Sequence, residues 1–145
     1  MTNTIIDVAA AIVINKGKFL SAKRLGGYLH NLWEFPGGKL EKYETAKLAA
    51  ERELEEELGI KAVASETVLV LDYAYPDKSV RLHFVLCSLD NSKSNNLALL
   101  AQNPTISWFT PEIAPLNDFC PADKLALEKI KWDTILKSED IDNDD

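Results

Sequence analysis

The chain has 145 residues, enough for one domain with a substantial core but too few for two ordinary domains. Hydrophobic residues make up 46% of the sequence and charged residues 27%, proportions that exclude a mainly disordered protein. The net charge is −7, but the segment 138–145 holds five acidic residues and no basic ones, and the rest of the chain carries only −2. This balance argues against a general nucleic-acid binder with a broad basic face. We expect residues 1–137 to form one domain and 138–145 to be a disordered acidic tail.

The cysteines and the start of the chain indicate the compartment. Cys87 and Cys120 are isolated, with neither the paired spacing of a zinc site nor a disulfide framework. The first residues carry no basic signal segment, and the apolar run at 8–14 is too short to cross a bilayer. We therefore expect a cytoplasmic protein with no membrane partner.

The first half of the chain alternates apolar runs with turn residues. Residues 5–15 predict a mostly buried strand, 19–24 its hairpin partner, and 32–35 a short extended piece that a Pro-Gly-Gly turn ends. Residues 44–58 have helical composition with an apolar stripe, and Gly59 stands where a helix typically ends.

The second half is rich in β-forming residues. Three apolar runs predict strands at 63–75, 80–89 and 105–109. Residues 121–136 predict one final amphipathic helix with Pro121 near its start. Strands in the middle, with helices inserted and at the end, indicate an α/β or α+β domain in which helices cover the faces of a mixed β-sheet.

Acidic residues gather on one face of the first predicted helix. At about 100° per residue, Glu53, Glu56 and Glu57 fall within an arc of roughly 100° beside the apolar stripe. Carboxylates next to a buried face cost energy unless a cation neutralises them, and oxygen ligands without His or Cys suit Mg²⁺ or Mn²⁺. Such a metal keeps positions open for water and phosphates, which predicts phosphoryl or pyrophosphoryl chemistry. The Gly37-Gly38 turn allows the backbone to approach a metal or a phosphate closely.

The spacing of these residues is specific. An acid-rich helix alone is usually a solvated face. Here the full pattern matches the Nudix box at every defined position, and the chance of that is on the order of one in a billion per start site. The matching residues are Gly38, Glu44, Arg52, Glu53, Leu54, Glu56, Glu57, Gly59 and Ile60. On this motif the chain resembles the Nudix hydrolases, and more closely their MutT branch, over nearly its whole length.

The resemblance implies a fold and an activity. The fold is a mixed β-sheet sandwiched between α-helices. The activity is Mg²⁺-dependent (or Mn²⁺-dependent) hydrolysis of (deoxy)nucleoside triphosphates to a monophosphate and pyrophosphate, in service of DNA repair through sanitation of the nucleotide pool, with 8-oxo-dGTP as the leading substrate. The implied partner is a small-molecule nucleotide and no nucleic acid polymer, and the chain is expected to be a monomer or a homodimer.

The resemblance also implies roles for individual residues. Glu53, Glu56 and Glu57 would bind the metal with the Gly37 carbonyl. Glu53 is the candidate base for the attacking water, Arg52 would orient it, and Glu44 would support the loop–helix geometry. The residues implied to contact the substrate are Arg24, Phe35, Gly38, Lys39, Lys78, Gln102 and Asp123. Three of these have ordinary structural alternatives: a strand-end arginine for Arg24, a core residue for Phe35 and a solvated turn residue for Lys78.

Two positions in the sequence leave undecided which residue is the general base and which nucleotide is the substrate. MutT-like members often carry an acid in the loop where this sequence has Gln102, which hydrogen-bonds water but is no anionic base at neutral pH. Asp123 matches a position that faces the nucleobase, where Asn pairs with both edges of an oxidised guanine and Asp occurs in members that act on cytidine nucleotides. An acid favoured by the helix dipole is its alternative role. The alternatives to 8-oxo-dGTP are thus CTP or 5-methyl-dCTP, broad specificity, and a non-catalytic nucleotide-binding Nudix module.

Overall fold

The computed structural model describes residues 4–90 and 96–142, with side chains as far as 137. Its elements are seven strands and four helices, joined by turns and one short 3₁₀ helix. The strands are β1 (Ile5–Asn15), β2 (Lys18–Lys23), β3 (Trp33–Glu34), β4 (Gly37–Lys39), β5 (Ala62–Tyr75), β6 (Lys78–Leu89) and β7 (Ile106–Phe109). The helices are α1 (Ala46–Leu58), α2 (Asn96–Ala101), α3 (Pro121–Lys129) and α4 (Trp132–Asp142).

The strands form one mixed sheet in the order β3-β2-β1-β6-β5. β1 and β6 pair in parallel along residues 5–13, and the remaining strand pairs are antiparallel. β4 pairs with the first half of β1, and β7 pairs with β2. β1 is therefore the central strand of the sheet, and it pairs with β2, β4 and β6.

Side chains of β1 alternate between two hydrophobic clusters. Ala9, Ala11 and Val13 pack with α1, whereas Ala10 and Ile12 pack with α3 and α4. This period of two places an α-helix on each face of the sheet. The mixed sheet between helices, and thus the fold class expected from the sequence, is confirmed.

Two residues fix the ends of α1. The Thr45 hydroxyl accepts a hydrogen bond from the Leu48 N–H at 3.2 Å. Gly59 adopts the left-handed conformation at φ 69°, and its N–H reaches back to the Glu55 carbonyl at 2.9 Å. Leu54 is fully buried between them, so the rotation of α1, and the face that carries its glutamates, is set.

The single final helix expected at 121–136 is wrong, because two helices occupy this region. Ile130 leaves α3 with extended backbone (φ −68°, ψ 136°) and is only 7% exposed in the core. The indole N–H of Trp132 then donates to the Leu127 carbonyl at 3.0 Å. Burial of Ile130 and Trp132 in the same cluster thus breaks the helix without a glycine or proline.

Three further features fall outside the expected elements. The Pro-Gly-Gly segment expected as a turn continues into the strand β4, and α2 lies where the sequence predicted no element. α4 runs to Asp142, and residues 143–145 of the expected tail lie outside the described residues, so the domain division remains a prediction. Among the helices described, none is both long and apolar enough to cross a membrane.

Candidate active site

Arg52 connects α1 to the loop that precedes it. Its guanidinium donates to both carboxylate oxygens of Glu44 at 2.8 Å, to Glu53 at 2.9 Å and to Glu56 at 3.1 Å. It also donates to the Lys39 carbonyl at the end of β4 at 3.0 Å. The hydrogen bond from Arg52, followed by one from a backbone N–H, lowers the pKa of Glu44 to about 2. Arg52 thus fixes the loop, the end of β4 and two glutamates with one side chain.

Gly38 provides the space that the Glu53 carboxylate occupies. A Cβ atom at Gly38 would lie 2.4 Å from the carboxyl carbon of Glu53 and 2.4 Å from its Oε1. At Gly37 a Cβ atom would lie 1.9 Å from the carbonyl oxygen of Ala9 on the neighbouring strand. Both glycines are therefore required by close approach: Gly37 by the sheet backbone, and Gly38 by the glutamate of α1.

Glu57 stands in a strongly acidic environment. Desolvation is the largest cause that raises the pKa of Glu57, and the nearby carboxylates of Glu53, Glu34 and Glu56 add to it. With a hydrogen bond from the Gly37 N–H opposing the shift, the pKa is about 7. The carboxylates at this end of α1 repel one another. Their crowding is the electrostatic condition under which a divalent cation binds favourably.

The α1 glutamates and Gly37 offer oxygen donors only, which suits a hard divalent cation such as Mg²⁺ or Mn²⁺. The space beside Gly38 keeps the Glu53 carboxylate next to the backbone carbonyls of β4. The residues present therefore fit the divalent metal that the resemblance implies. Arg52 bridges Glu53 and Glu56, and the α1 glutamates do not bring three ligand atoms within 4.8 Å of one another in the described structure.

A cleft of about 230 Å³ opens beside this face, on the other side of Gly38. Among the residues that line it are most of those expected to contact the substrate: Arg24, Phe35, Gly38, Lys39, Lys78 and Asp123, together with Gly37. Gln102 is not part of it. Gln102 is exposed after α2, where its N–H donates to the Leu99 carbonyl at 3.3 Å.

Exposed lysine side chains give the cleft a cationic mouth, and its buried lining is apolar apart from the Asp123 carboxyl group and the Cys120 thiol. Arg24 forms an ion pair with Glu34 at 3.4 Å, and Lys39 and Lys78 line the opening. Phe35 is 3% exposed and contacts both the cleft and the rings of Phe19 and Phe84, so its core and cleft roles coexist. A cleft with a cationic mouth and an aromatic interior suits an anionic ligand with a flat ring.

Asp123 lies in the first turn of α3 and is only 6% exposed. Its Oδ1 accepts a hydrogen bond from the Phe35 N–H at 3.2 Å. Burial, followed by the nearby Glu34 carboxylate, raises the pKa of Asp123 to about 8. The side chain is thus neutral at pH 7 and offers both a donor and an acceptor, which an ionised carboxylate does not.

This pKa gives a stability prediction. Between the usual value of 3.8 and about 8, the folded chain holds a proton that the unfolded chain releases, so the contribution of Asp123 to stability is complete at low pH and is lost as pH rises. Asp123→Asn does not titrate, and its stability relative to wild type should therefore increase between about pH 4 and about pH 8. Urea unfolding of both proteins across this range measures the difference; parallel pH profiles would contradict it.

Glu34 and Cys120 are among the cleft residues that the sequence interpretation missed. Glu34 follows Trp33 in β3, and Cys120 immediately precedes α3. The N–H of Cys120 donates to the Trp33 carbonyl at 2.9 Å, which joins segments almost ninety residues apart in the sequence. The only local signal was the position of Glu34 between two aromatic residues, and nothing local indicated Cys120.

The chain matches known proteins along most of its length. The family model described as NUDIX domain matches residues 5–132. A CTP pyrophosphohydrolase of Escherichia coli is 34% identical over 124 residues, covering 85% of this chain and 89% of that protein. An 8-oxo-dGTP diphosphatase of Buchnera aphidicola is 41% identical over 73 residues, covering 48% of this chain and 59% of the relative's length.

A solved structure agrees with these sequence matches. The solution structure of the E. coli ORF135 protein superposes with a TM-score of 0.67 at 30% identity. The superposition covers 94% of this chain and 93% of that protein. The fold is therefore shared over nearly the whole length of both chains.

Proposed function

Because this chain belongs to the Nudix hydrolase family, we propose that it hydrolyses (deoxy)nucleoside triphosphates to a monophosphate and pyrophosphate with Mg²⁺. One observation carries the proposal: Gly38 borders both the Glu53 carboxylate and the cleft with the cationic mouth. A triphosphate that enters this mouth therefore extends toward the α1 glutamates, while its base points into the aromatic interior. The free cysteines Cys87 and Cys120 fit the cytoplasmic location that we propose for this activity.

The α1 residues have separate tasks in this proposal. Glu53, Glu56 and Glu57, with the Gly37 carbonyl, would hold Mg²⁺, which supplies neutralisation of phosphate charge and acidification of a water. Glu53 takes the proton from the attacking water. Arg52 is a positioning residue, because its hydrogen bonds to Glu53 and Glu44 hold the carboxylate in place.

The cleft residues bind the substrate. Arg24, Lys39 and Lys78 at the mouth attract and orient the phosphates, and Phe35 packs against the base. Gln102 has no role here, because it is exposed outside the cleft. The base function therefore rests on the α1 glutamates and not on the loop that contains Gln102.

We propose 8-oxo-dGTP as the preferred substrate, and Asp123 as the reason. A neutral Asp123 offers one donor and one acceptor, which complements the acceptor O6 and the donor N7–H of oxidised guanine. Unmodified guanine presents two acceptors on the same edge and leaves one of these interactions unpaired. Relatives named 8-oxo-dGTP diphosphatase support this choice.

A cytidine nucleotide is the second candidate. The relative named CTP pyrophosphohydrolase matches 85% of the chain, and cytosine also presents one donor and one acceptor. A non-catalytic binding module is disfavoured, because the chain retains all box glutamates, and such clustered acids are costly without a cation.

The test is pyrophosphate release with Mg²⁺ from 8-oxo-dGTP, dGTP, CTP and 5-methyl-dCTP. We expect a kcat/KM for 8-oxo-dGTP at least about ten-fold above that for dGTP, because one bidentate base contact discriminates by about 1–3 kcal/mol. Asp123→Asn should keep this preference and Asp123→Ala should lose it. A preference for cytidine nucleotides would replace 8-oxo-dGTP as the proposed substrate but keep the proposed reaction. If the ratio of kcat/KM for 8-oxo-dGTP to that for dGTP were the same in wild type, Asp123→Asn and Asp123→Ala, Asp123 would have no role in base recognition.

A further inference from the structure

A second group of metal-ligating side chains lies in the cleft lining and contains none of the α1 glutamates. One ligand atom each of Glu34, Cys120 and Asp123 lies within 4.8 Å of the other two. The backbone hydrogen bond from Cys120 to Trp33 holds β3 against the start of α3, so the three side chains are fixed relative to one another. This arrangement depends on tertiary structure, since Glu34 is distant in sequence from the other two.

Burial distinguishes this group from ordinary surface acids. Cys120 is 1% exposed and Asp123 6% exposed. Across residues 4–90 and 96–137, no hydrogen bond joins the Cys120 sulfur to another residue, and this sulfur lies in the cleft wall within reach of both carboxyl groups. A buried thiol without such a hydrogen bond, beside two carboxyl groups, is an arrangement that a bound cation would stabilise.

The electrostatics of the group point the same way. Burial is the largest cause that raises the pKa of the Cys120 thiol to about 12, and the nearby Asp123 and Glu34 carboxyl groups add to it. A negative charge on one of the three groups therefore disfavours ionisation of the other two. The nearest cationic contact is Arg24, which reaches Glu34 at 3.4 Å. A divalent ion would neutralise the whole group at once.

We propose that Glu34, Cys120 and Asp123 form a binding site for a borderline-soft divalent cation of the Zn²⁺ class. One sulfur and two carboxylate oxygens are ligands that Zn²⁺ accepts in tetrahedral sites, whereas Mg²⁺ requires oxygen and does not select thiolates. Coordination displaces the protons of the Cys120 thiol and of the Asp123 carboxyl group to solvent, and the fourth position remains for water. The site thus uses other residues and another ligand chemistry than the glutamate face of α1, although Glu34 lies close enough to Glu57 to influence its charge.

The site has a consequence for catalysis, and this consequence rests on the proposed function. Asp123 cannot hold an ion and pair with a nucleobase at the same time. Zn²⁺ at this site therefore competes with nucleotide and raises KM.

The direct test is titration of the reduced full-length protein with Cd²⁺ in the absence of nucleotide, followed by the sulfur-to-cadmium charge-transfer absorbance. Wild type should show a saturable signal at one equivalent, and Cys120→Ser should lose it. Cys87→Ala is the matched control, because Cys87 is equally buried in the other core cluster and should leave the signal intact. Glu34→Gln, which retains the thiol, should weaken Cd²⁺ affinity by about ten-fold or more. No signal in wild type, or an undiminished signal in Cys120→Ser, overturns the proposal.

A second measurement separates this site from the proposed function. With Mg²⁺ saturating, added Zn²⁺ should raise the KM for nucleotide in wild type, and Cys120→Ser should need at least about ten-fold more Zn²⁺ for the same change. Each protein is compared with its own rate without zinc. A Cd²⁺ signal without any nucleotide hydrolysis would keep the site and reject the function; hydrolysis without the signal would do the reverse.

Discussion

Glu53→Gln is expected to lower kcat for nucleotide hydrolysis by about 10²- to 10⁴-fold, the usual contribution of a positioned general base. The amide keeps the size of the side chain and a hydrogen-bond acceptor for Arg52, but it cannot take a proton or carry the charge that a metal requires. The Glu53 side chain is 15% exposed and its carboxylate lies directly beside Gly38, at the border of the cleft. Steady-state kinetics with saturating Mg²⁺, together with the unfolding midpoint, separate lost chemistry from lost folding.

Glu55→Gln is the matched control for this substitution. Glu55 is on the same helix, is 55% exposed, and forms an ion pair with Lys61 away from the cleft. An exposed pair of this kind contributes little to stability, and its loss should leave kcat within about two-fold of wild type. If the two variants retained similar activity, Glu53 would not be the base.

Gly38→Ala is expected to produce a folded protein with kcat lowered by about 10²-fold. The new Cβ would meet the Glu53 carboxylate at 2.4 Å, and the free end of that side chain can move to relieve the contact. The displacement of the carboxylate by about 1 Å is enough to cost this much activity. Far-ultraviolet circular dichroism and kinetics on the same preparation test both halves of the expectation.

Gly37→Ala provides the contrasting result. Its Cβ would lie 1.9 Å from the Ala9 carbonyl oxygen, which belongs to the central strand and cannot move alone. We expect a loss of unfolding free energy of about 1–3 kcal/mol or more, as for other overpacked interiors. Equal stability losses at the two glycines would show that Gly38 is required by the sheet and not by Glu53.

Local patterns in the sequence were sufficient to predict most of the fold. The continuous apolar run of β1 predicted a mostly buried strand, and Gly59 predicted the end of α1. The break at Ile130 could not be predicted, because it depends on which cluster buries Ile130 and Trp132. β4 was missed for a similar reason: its glycines pair with β1 only because no side chain prevents the approach.

The candidate site likewise has one part that the sequence predicted and one part that depends on tertiary structure. Glu53, Glu56 and Glu57 lie within one helix, so their spacing alone predicted a shared face, whereas the role of Arg52 came from the resemblance to the family. The inner wall of the cleft joins β3 to the start of α3, and Glu34 and Cys120 became visible only in the folded chain. Asp123 was identified from the sequence, but its neutral form depends on burial and on Glu34, which no local pattern contains.

The central claim is that the α1 face and the cleft act together as a metal-dependent pyrophosphohydrolase. The most direct measurement is product analysis by ion-exchange chromatography after incubation of the wild-type protein with a nucleoside triphosphate, once with Mg²⁺ and once with a chelator. We predict nucleoside monophosphate and pyrophosphate in equal amounts with Mg²⁺, and no turnover with the chelator. Release of orthophosphate and a nucleoside diphosphate, turnover that persists in the chelator, or metal-dependent binding without turnover would contradict this account.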